Sequence, residues 1–363
     1  MTVILFIVIL VVLIVVHEFG HFLVAKWSGM RVDEFGVGYP PRVWGRKYGE
    51  TEYTLNALPF GGFVKIYGED DTDAASARAF SARPRILQAL TLIAGVAMNL
   101  LLAYVIITIM LGVGTPRALT SEEALIAPDA SLVIAGVLPG SPAERAGLEA
   151  GDRVVSIANA DGEFSTVDPN AFTAYVSGQA AGNPLTFDIV RGEQALELSV
   201  APETGAIPGE PERAALGVSL ATVGTVAVPW YQAPVDGAIL TWEITKETAI
   251  GLAKFFGSVF TLSANLAQVS GPVGIAGAVG DAYSQGLASL FTITALISIN
   301  LALINLLPIP ALDGGRLLFV IIESIIRRPI PTAFVGAVNM AGFAFLILLM
   351  VVVTGSDIFK LVT

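Results

Sequence analysis

Four long apolar segments constrain this chain more than any other feature of its sequence. Residues 1–26, 86–113, 287–310 and 334–354 are each long enough to cross a membrane as a helix, which takes about 20 apolar residues. Hydrophobic residues make up 54% of the 363 residues and charged residues only 14%. The first segment has no basic start and no small-residue cleavage site, so we do not expect a cleaved signal peptide. The sequence predicts a multi-pass α-helical membrane protein with four transmembrane helices.

The positions of lysine and arginine predict how the chain is oriented. Nine of them lie between Lys26 and Arg85, and three more lie between the third and fourth spans. The long insert at residues 115–285 has seven, against nineteen aspartates and glutamates. Because positively charged loops stay in the cytoplasm, residues 27–85 and 311–333 should be cytoplasmic. The insert and both termini should then lie outside.

The segments between the spans have their own patterns. Residues 27–85 contain short β-like runs between glycine turns, which predict a small cytoplasmic-side β-sheet. Residues 125–202 alternate β-like runs with turn signals and two helical stretches, which predicts an extracytoplasmic α+β domain. Residues 203–286 begin as a linker rich in proline, glycine and glutamate and continue as an amphipathic helix. That helix either lies on the outer membrane surface or packs on the insert.

The composition leaves few kinds of chemistry open. There is no cysteine, which excludes disulfides, thiol catalysis and thiolate metal sites, and a net charge of −11 argues against a nucleic-acid partner. The only two histidines, His17 and His21, form the sequence HEFGH at the end of the first span. Residues four apart share one face of a helix, so both imidazoles can reach one metal ion. Glu18 lies beside them, where it can take a proton from a metal-bound water.

A third metal ligand is expected near the end of the third span. A catalytic zinc usually has three protein ligands and an open position for water. Without cysteine or another histidine, the third must be acidic, and Asp313 is the best candidate because it follows that span directly. Pro308 and Pro310 end the helix, and irregular backbone at membrane depth must be buried in protein or line a wet cavity. Two plainer alternatives stay open: the HEFGH side chains are solvated among lipid headgroups, or Asp313 is an exposed helix cap.

Several segments together resemble the site-2 protease family of intramembrane zinc metalloproteases. HEFGH on the first span and NLLPIPALDGG at the end of the third are similar to the two metal motifs of that family, in the same order. PFGGFVKIYGE at 59–69 and SGPVGI at 270–275 resemble two further family segments. VLPGSPA at 137–143, with the AGL and GDRV that follow it, is similar to a bacterial PDZ domain. The second span departs from the family pattern, since relatives often have proline after Gly95 and phenylalanine after Asn99.

The resemblance implies roles for individual residues. Three of them would bind Zn²⁺: His17, His21 and Asp313. Glu18 would be the general base that activates water and later protonates the leaving amine. Asn305 would either bind the substrate backbone or oxyanion, or join helices by a polar contact. For Asn99, on the second span, the sequence favours the structural contact.

The resemblance also implies a setting and partners. The protein would lie in the bacterial cytoplasmic membrane, surrounded by lipid, with its single PDZ-like domain extracytoplasmic. Its substrates would be transmembrane proteins such as anti-sigma factors or remnant signal peptides. The alternative function is a catalytically idle membrane scaffold whose PDZ-like domain recruits partners. A metal transporter is a weaker reading, because the second and fourth spans contain no charged residues.

Overall fold

The computed structural model describes residues 2–69, 76–159, 162–192, 194–207, 213–261 and 270–362. The chain divides into two compact units, a first formed by residues 1–110 with 231–363 and a second formed by residues 111–230. Within the described part, four helices are long and apolar enough to span a membrane, which is the predicted number.

The helices and strands are numbered in chain order. The helices are α1 Thr2–Trp27, α2 Arg85–Val113, α3 Ser121–Ala124, α4 Pro142–Arg145, α5 Pro169–Ser177, α6 Ala233–Phe260, α7 Pro272–Ser284, α8 Leu287–Leu306, α9 Asp313–Ile326 and α10 Thr332–Val362. The strands are β1 Val32–Tyr48, β2 Thr51–Ile66, β3 Pro116–Ala118, β4 Ser131–Val137, β5 Arg153–Asn159, β6 Gly162–Phe164, β7 Leu185–Arg191, β8 Gln194–Val200, β9 Glu203–Thr204, β10 Ala214–Ala215 and β11 Val218–Thr225. The membrane-length helices are α1, α2, α8 and α10.

α1 is a continuous apolar helix that ends at a glycine. Its many valines and isoleucines would suit a strand in water, but in a membrane a helix satisfies all of its own main-chain groups. Gly29 has φ 72°, a left-handed conformation that favours glycine, and the Met30 N–H donates to the Ala25 carbonyl at 2.9 Å. The helix carries the HEFGH segment in its second half.

β1 and β2 form a curled antiparallel sheet in which one part of β1 is paired on both sides. Residues 34–37 pair with 62–65 on one side and with 52–55 on the other, while 42–48 pair with 51–56. The strands expected between residues 27 and 85 are thus present and longer than the sequence indicated. The end of β2 forms one edge of this sheet.

Charged groups fasten the tip of this sheet to α1. Lys26 Nζ donates to Glu50 Oε1 at 2.8 Å, and the Arg78 guanidinium donates to both oxygens of the same carboxylate at 2.7 and 2.8 Å. The hydrogen bonds from Arg78, followed by that from Lys26, lower the pKa of Glu50 to about 2. The sheet is therefore held against the helix that carries the histidines.

The segment between α8 and α10 differs from the prediction. Residues 311–333 were expected to be a loop, but α9 covers most of them, from Asp313 to Ile326. Pro308 and Pro310 do follow the end of α8, as expected. The apolar run after the two glycines is long enough to form a second helix. Its Val320 side chain is buried in the core of the first unit.

The second unit is built on a seven-stranded antiparallel sheet. The strands run in the order β3-β11-β4-β5-β7-β8, with β6 paired to β5. Its core contains aliphatic and aromatic side chains of the sheet and of α5, among them Ile134, Ile157, Phe172, Phe187 and Ile189. The unit is larger than the domain predicted at 125–202, because β11 comes from beyond the linker and pairs with β3 and β4. Residues 203–286 therefore contain β9–β11, α6 and α7, and residues 208–212 of the predicted linker lie outside the described residues.

Candidate metal centre

The two histidines face each other on the buried side of α1. His17 and His21 are 5% and 6% exposed, and their Nε2 atoms lie 3.1 Å apart. The rings meet edge to face, with centroids 4.8 Å apart. The four-residue spacing thus brings both imidazoles to one point, as the sequence predicted.

Asp313 is the first residue of α9 and points at the same two nitrogens. Its Oδ2 lies 2.8 Å from His17 Nε2 and 3.2 Å from His21 Nε2. The main chain just before α9 is so tightly folded that a Cβ at Gly314 or Gly315 would collide with carbonyls of residues 306, 307 and 309. These two glycines therefore allow the chain to turn back and place the carboxylate.

The three side chains fit a zinc ion. Bonds of about 2.0–2.1 Å in a tetrahedral site put neighbouring ligand atoms roughly 3.3–3.4 Å apart, and the three separations here are 2.8, 3.1 and 3.2 Å. Two imidazole nitrogens and a carboxylate oxygen are also a donor set that zinc prefers. In the part of the chain that the structure describes, this is the group of histidine and acidic side chains that could hold a metal ion.

α2 packs against both histidines. The Thr91 carbonyl accepts a hydrogen bond from His21 Nδ1–H at 2.7 Å. One turn further, a Cβ at Gly95 would lie 2.7 Å from His17 Nε2 and closer still to His21 Nε2, so only glycine fits there. Asn99, another turn on, is completely buried, and its Nδ2 lies 3.4 Å from His17 Nδ1.

Glu18 lies beside the histidines and is held by the sheet. Its Oε2 accepts a hydrogen bond from the Val64 N–H at 3.1 Å. Glu18, His21 and Asp313 line a cavity of about 710 Å³, together with residues 62–69. Extended main chain therefore runs along the wall of the cavity that Glu18, His21 and Asp313 also line.

The structure bears differently on the two asparagines that the sequence analysis singled out. Asn305 is half-buried on α8 and is not among the described residues that line this cavity, so its expected role stays a prediction. Asn99 was expected to connect helices, and it does so through its main-chain carbonyl, which accepts from Ser298 Oγ at 2.8 Å. Its side chain, however, contacts a histidine. The contacts of Thr91, Gly95 and Asn99 with the histidines were not predicted: their four-residue spacing puts them on one face of α2 but does not show what that face meets.

Comparisons with known proteins cover nearly the whole chain. The family model described as Peptidase family M50 matches residues 5–349. The chain is 38% identical over 348 residues to a Clostridium perfringens protein named a zinc metalloprotease, covering 95% of each chain. It is 32% identical over 365 residues to a Nostoc protein named in the same way, covering 96% of this chain and 93% of the relative. It is 30% identical over 442 residues to the zinc metalloprotease RasP of Geobacillus kaustophilus, covering 98% and 97%. The range that the family model matches contains the whole second unit and the positions of His17, Glu18, His21 and Asp313.

Proposed function

Because the chain belongs to peptidase family M50 and is a zinc metalloprotease, we propose that it hydrolyses peptide bonds within or near the transmembrane segments of other membrane proteins. One observation carries this proposal. Two histidines, an aspartate and a glutamate meet in the interior of a unit built from helices of membrane-spanning length. Ionisable groups in such a position are costly, and they mark functional sites.

The proposed roles follow from the donor atoms. His17 Nε2, His21 Nε2 and Asp313 Oδ2 would hold the zinc ion. Bound zinc supplies Lewis acidity, which polarises a carbonyl and makes water more acidic. Asp313 also balances part of the charge of the ion, so the buried centre carries less net charge.

Glu18 is proposed as the general base. The Val64 N–H holds Oε2, which leaves Oε1 to take a proton from the attacking water. The same carboxyl group then delivers that proton to the nitrogen of the leaving amine. A base tied to main chain needs little reorientation between these two transfers.

The sheet is proposed to receive an extended substrate. A transmembrane substrate arrives as a helix whose main-chain groups are already paired, and hydrolysis requires that a short segment unwinds. Strand edges offer replacement partners for an extended segment, and residues 62–67 run along the cavity that contains Glu18. Asn305 is proposed to bind the substrate backbone or the oxyanion from α8.

The second unit is proposed to select substrates as a PDZ-like domain. PDZ domains bind extended peptides by strand addition. The arrangement of α5 beside β11, with a small cleft lined by Phe172, Val176 and Val218, supports this assignment. We place this unit outside the bacterial cytoplasmic membrane on the basis of its charge, and propose anti-sigma factors or remnant signal peptides as substrate classes.

The test is Glu18→Gln in protein reconstituted with a transmembrane substrate. Glutamine keeps the size of the side chain but cannot accept the proton, and general-base catalysis is worth typically ~10²–10⁴-fold. We expect cleavage to fall by at least that factor while about one zinc per chain stays bound. Glu122→Gln, at an exposed position of α3, is the matched control and should cleave normally. Cleavage by Glu18→Gln at the parent rate would contradict the mechanism and favour the scaffold function.

A further inference from the structure

Asn99 lies at the metal centre although it is neither acidic nor a histidine. It is fully buried on α2, in the middle of an apolar helix, where an amide without hydrogen bonds is costly. Its Nδ2 lies 3.4 Å from His17 Nδ1, at the limit of a hydrogen bond. Its Oδ1 has no hydrogen-bond partner among the residues that the structure describes. A buried amide with an unpartnered oxygen calls for an explanation.

The neighbouring histidine shows what such a partner can do. A main-chain carbonyl can only accept, so the Thr91 carbonyl requires the hydrogen of His21 to be on Nδ1. The lone pair of His21 Nε2 then faces His17 and Asp313. Thr91 therefore determines which nitrogen of His21 is available to a metal ion.

His17 needs the same arrangement, and Asn99 is its neighbour at Nδ1. For Nε2 to offer a lone pair to a metal, the hydrogen of a neutral imidazole must be on Nδ1. The oxygen and nitrogen of an amide have nearly the same shape, and a half-turn of the carboxamide exchanges them. That half-turn brings the unpartnered Oδ1 of Asn99 to His17 Nδ1–H.

Building on the function proposed above, we propose that Asn99 is a positioning residue of the metal centre. Its Oδ1 accepts a hydrogen bond from His17 Nδ1–H and thereby holds the Nε2 of His17 towards the metal position. Thr91, Gly95 and Asn99 then form one stripe of α2, four residues apart, that supports both histidines. In this stripe the Thr91 carbonyl accepts from the ring of His21 and Asn99 Oδ1 accepts from the ring of His17. Gly95, between them, has no side chain and so leaves space for both rings.

The amide of Asn99 can serve His17 both with and without a metal ion. In the orientation seen here, Nδ2 faces His17 Nδ1 while His17 Nε2 is bonded to Asp313 at 2.8 Å. The same side chain can therefore donate to the ring when the hydrogen is on Nε2 and accept from it when Nε2 binds a metal. The Ser298 hydroxyl, bonded to the Asn99 main chain, fixes α8 at the same level of α2.

The experiment measures zinc affinity by competition between the full-length protein in detergent and a fluorescent chelator. Asn99→Leu removes both hydrogen-bonding groups, and Asn99→Asp keeps an acceptor. Loss of a hydrogen bond to a metal-binding histidine typically costs ~10–100-fold in affinity. We expect that loss for Asn99→Leu and an affinity near that of the parent for Asn99→Asp. Thr108→Val is the matched control, because the Thr108 hydroxyl is also buried on α2 without a partner among the described residues, and it should bind zinc like the parent.

The melting temperature of the metal-free protein separates this role from a structural one. A helix contact alone would lower the melting temperature of Asn99→Leu and leave its zinc affinity unchanged, which would overturn the proposal. An Asn99→Asp protein that binds zinc as weakly as Asn99→Leu would overturn it as well. If Asn99→Leu does not fold, Asn99→Ala replaces it in the same comparison. Asp313→Ala is measured alongside, since zinc binding that does not depend on Asp313 contradicts the proposed function before Asn99 is considered.

Discussion

Each unit of this protein contains an aspartate that is largely shielded from solvent, Asp152 with 0% and Asp313 with 21% of the side chain exposed, and the two differ in what their oxygens face. The side chain of Asp152, in the second unit, has no exposed surface, and it accepts hydrogen bonds from Arg191 Nε at 2.7 Å and Nη2 at 2.8 Å. Asp313, in the first unit, faces the Nε2 atoms of two histidines. The nearby Arg316 is paired with Glu69 instead. Low exposure alone therefore does not distinguish the two acids: Asp152 is paired with a guanidinium, whereas Asp313 faces two imidazole nitrogens that could share a metal ion with it.

Replacing the two aspartates by asparagine should change different properties of the protein. Asp313→Asn should lower zinc binding and have the larger effect on function. The amide keeps the size of the side chain but is a far weaker zinc ligand. We expect the zinc content to fall well below one per chain, and proteolysis to fall by more than the ~10²–10⁴-fold assigned to the base. Elemental analysis and a cleavage assay check this. Full zinc content at unchanged affinity would show that Asp313 is not a zinc ligand. It would also contradict the different roles given to Asp313 and Asp152.

Asp152→Asn should change stability and leave zinc in place. It weakens the charge-assisted hydrogen bonds from Arg191, which should cost the second unit about 1–3 kcal/mol. Hydrogen exchange of the amides of β4, β5 and β7 in the full-length protein measures this loss as faster opening. Glu163→Gln, at an exposed position of β6, should exchange like the parent. A loss of zinc in Asp152→Asn would contradict the separation of the two roles.

The smallest expected effect is the pH dependence of the second unit. Burial alone would raise the pKa of Asp152, but the hydrogen bonds from Arg191 and the Glu149 N–H outweigh it, so the pKa lies below its ordinary value. A lowered pKa stabilises the folded state above the unfolded value, about 3.9, and the stabilisation is lost as the pH falls through the folded pKa. The opening free energy should be constant between about pH 7 and 5 and fall below about pH 4. The fall should be smaller in Asp152→Asn, and equal falls would assign it to other groups.

The meeting of His17, His21 and Asp313 was largely predictable, because it follows from a local spacing and from excluding other kinds of ligand. The spacing of His17 and His21 requires only that the segment is helical, and the absence of cysteine left an acid as the third ligand. The support from α2 was not predictable in the same way. Which residue of a second apolar helix meets His17 depends on how the two helices are rotated and shifted against each other. An asparagine that contacts His17 and one that only joins two helices can therefore have the same sequence surroundings.

The fold shows the same division between local and distant information. The four membrane-length helices could be predicted because each is specified within its own 20 or so residues. β11 could not, because its partners β3 and β4 lie far away in the sequence and on the other side of a linker. The start of α9 depends on close contacts between main-chain atoms around Gly314 and Gly315, and a pattern of side-chain types does not encode such contacts.

In the proposed mechanism, the hydrogen bond between Glu18 and the Val64 N–H limits where a substrate can be cut. It fixes the acid at one position along a strand, and a peptide aligned with that strand presents equivalent groups only at every second residue. Such a peptide can shift along the edge by two residues, about 6.6 Å, and show the same face to the acid, whereas a shift of one residue turns the opposite face towards it. The two-residue repeat of the strand then sets the spacing of cleavage, and neighbouring cleavage sites in one substrate should be separated by even numbers of residues.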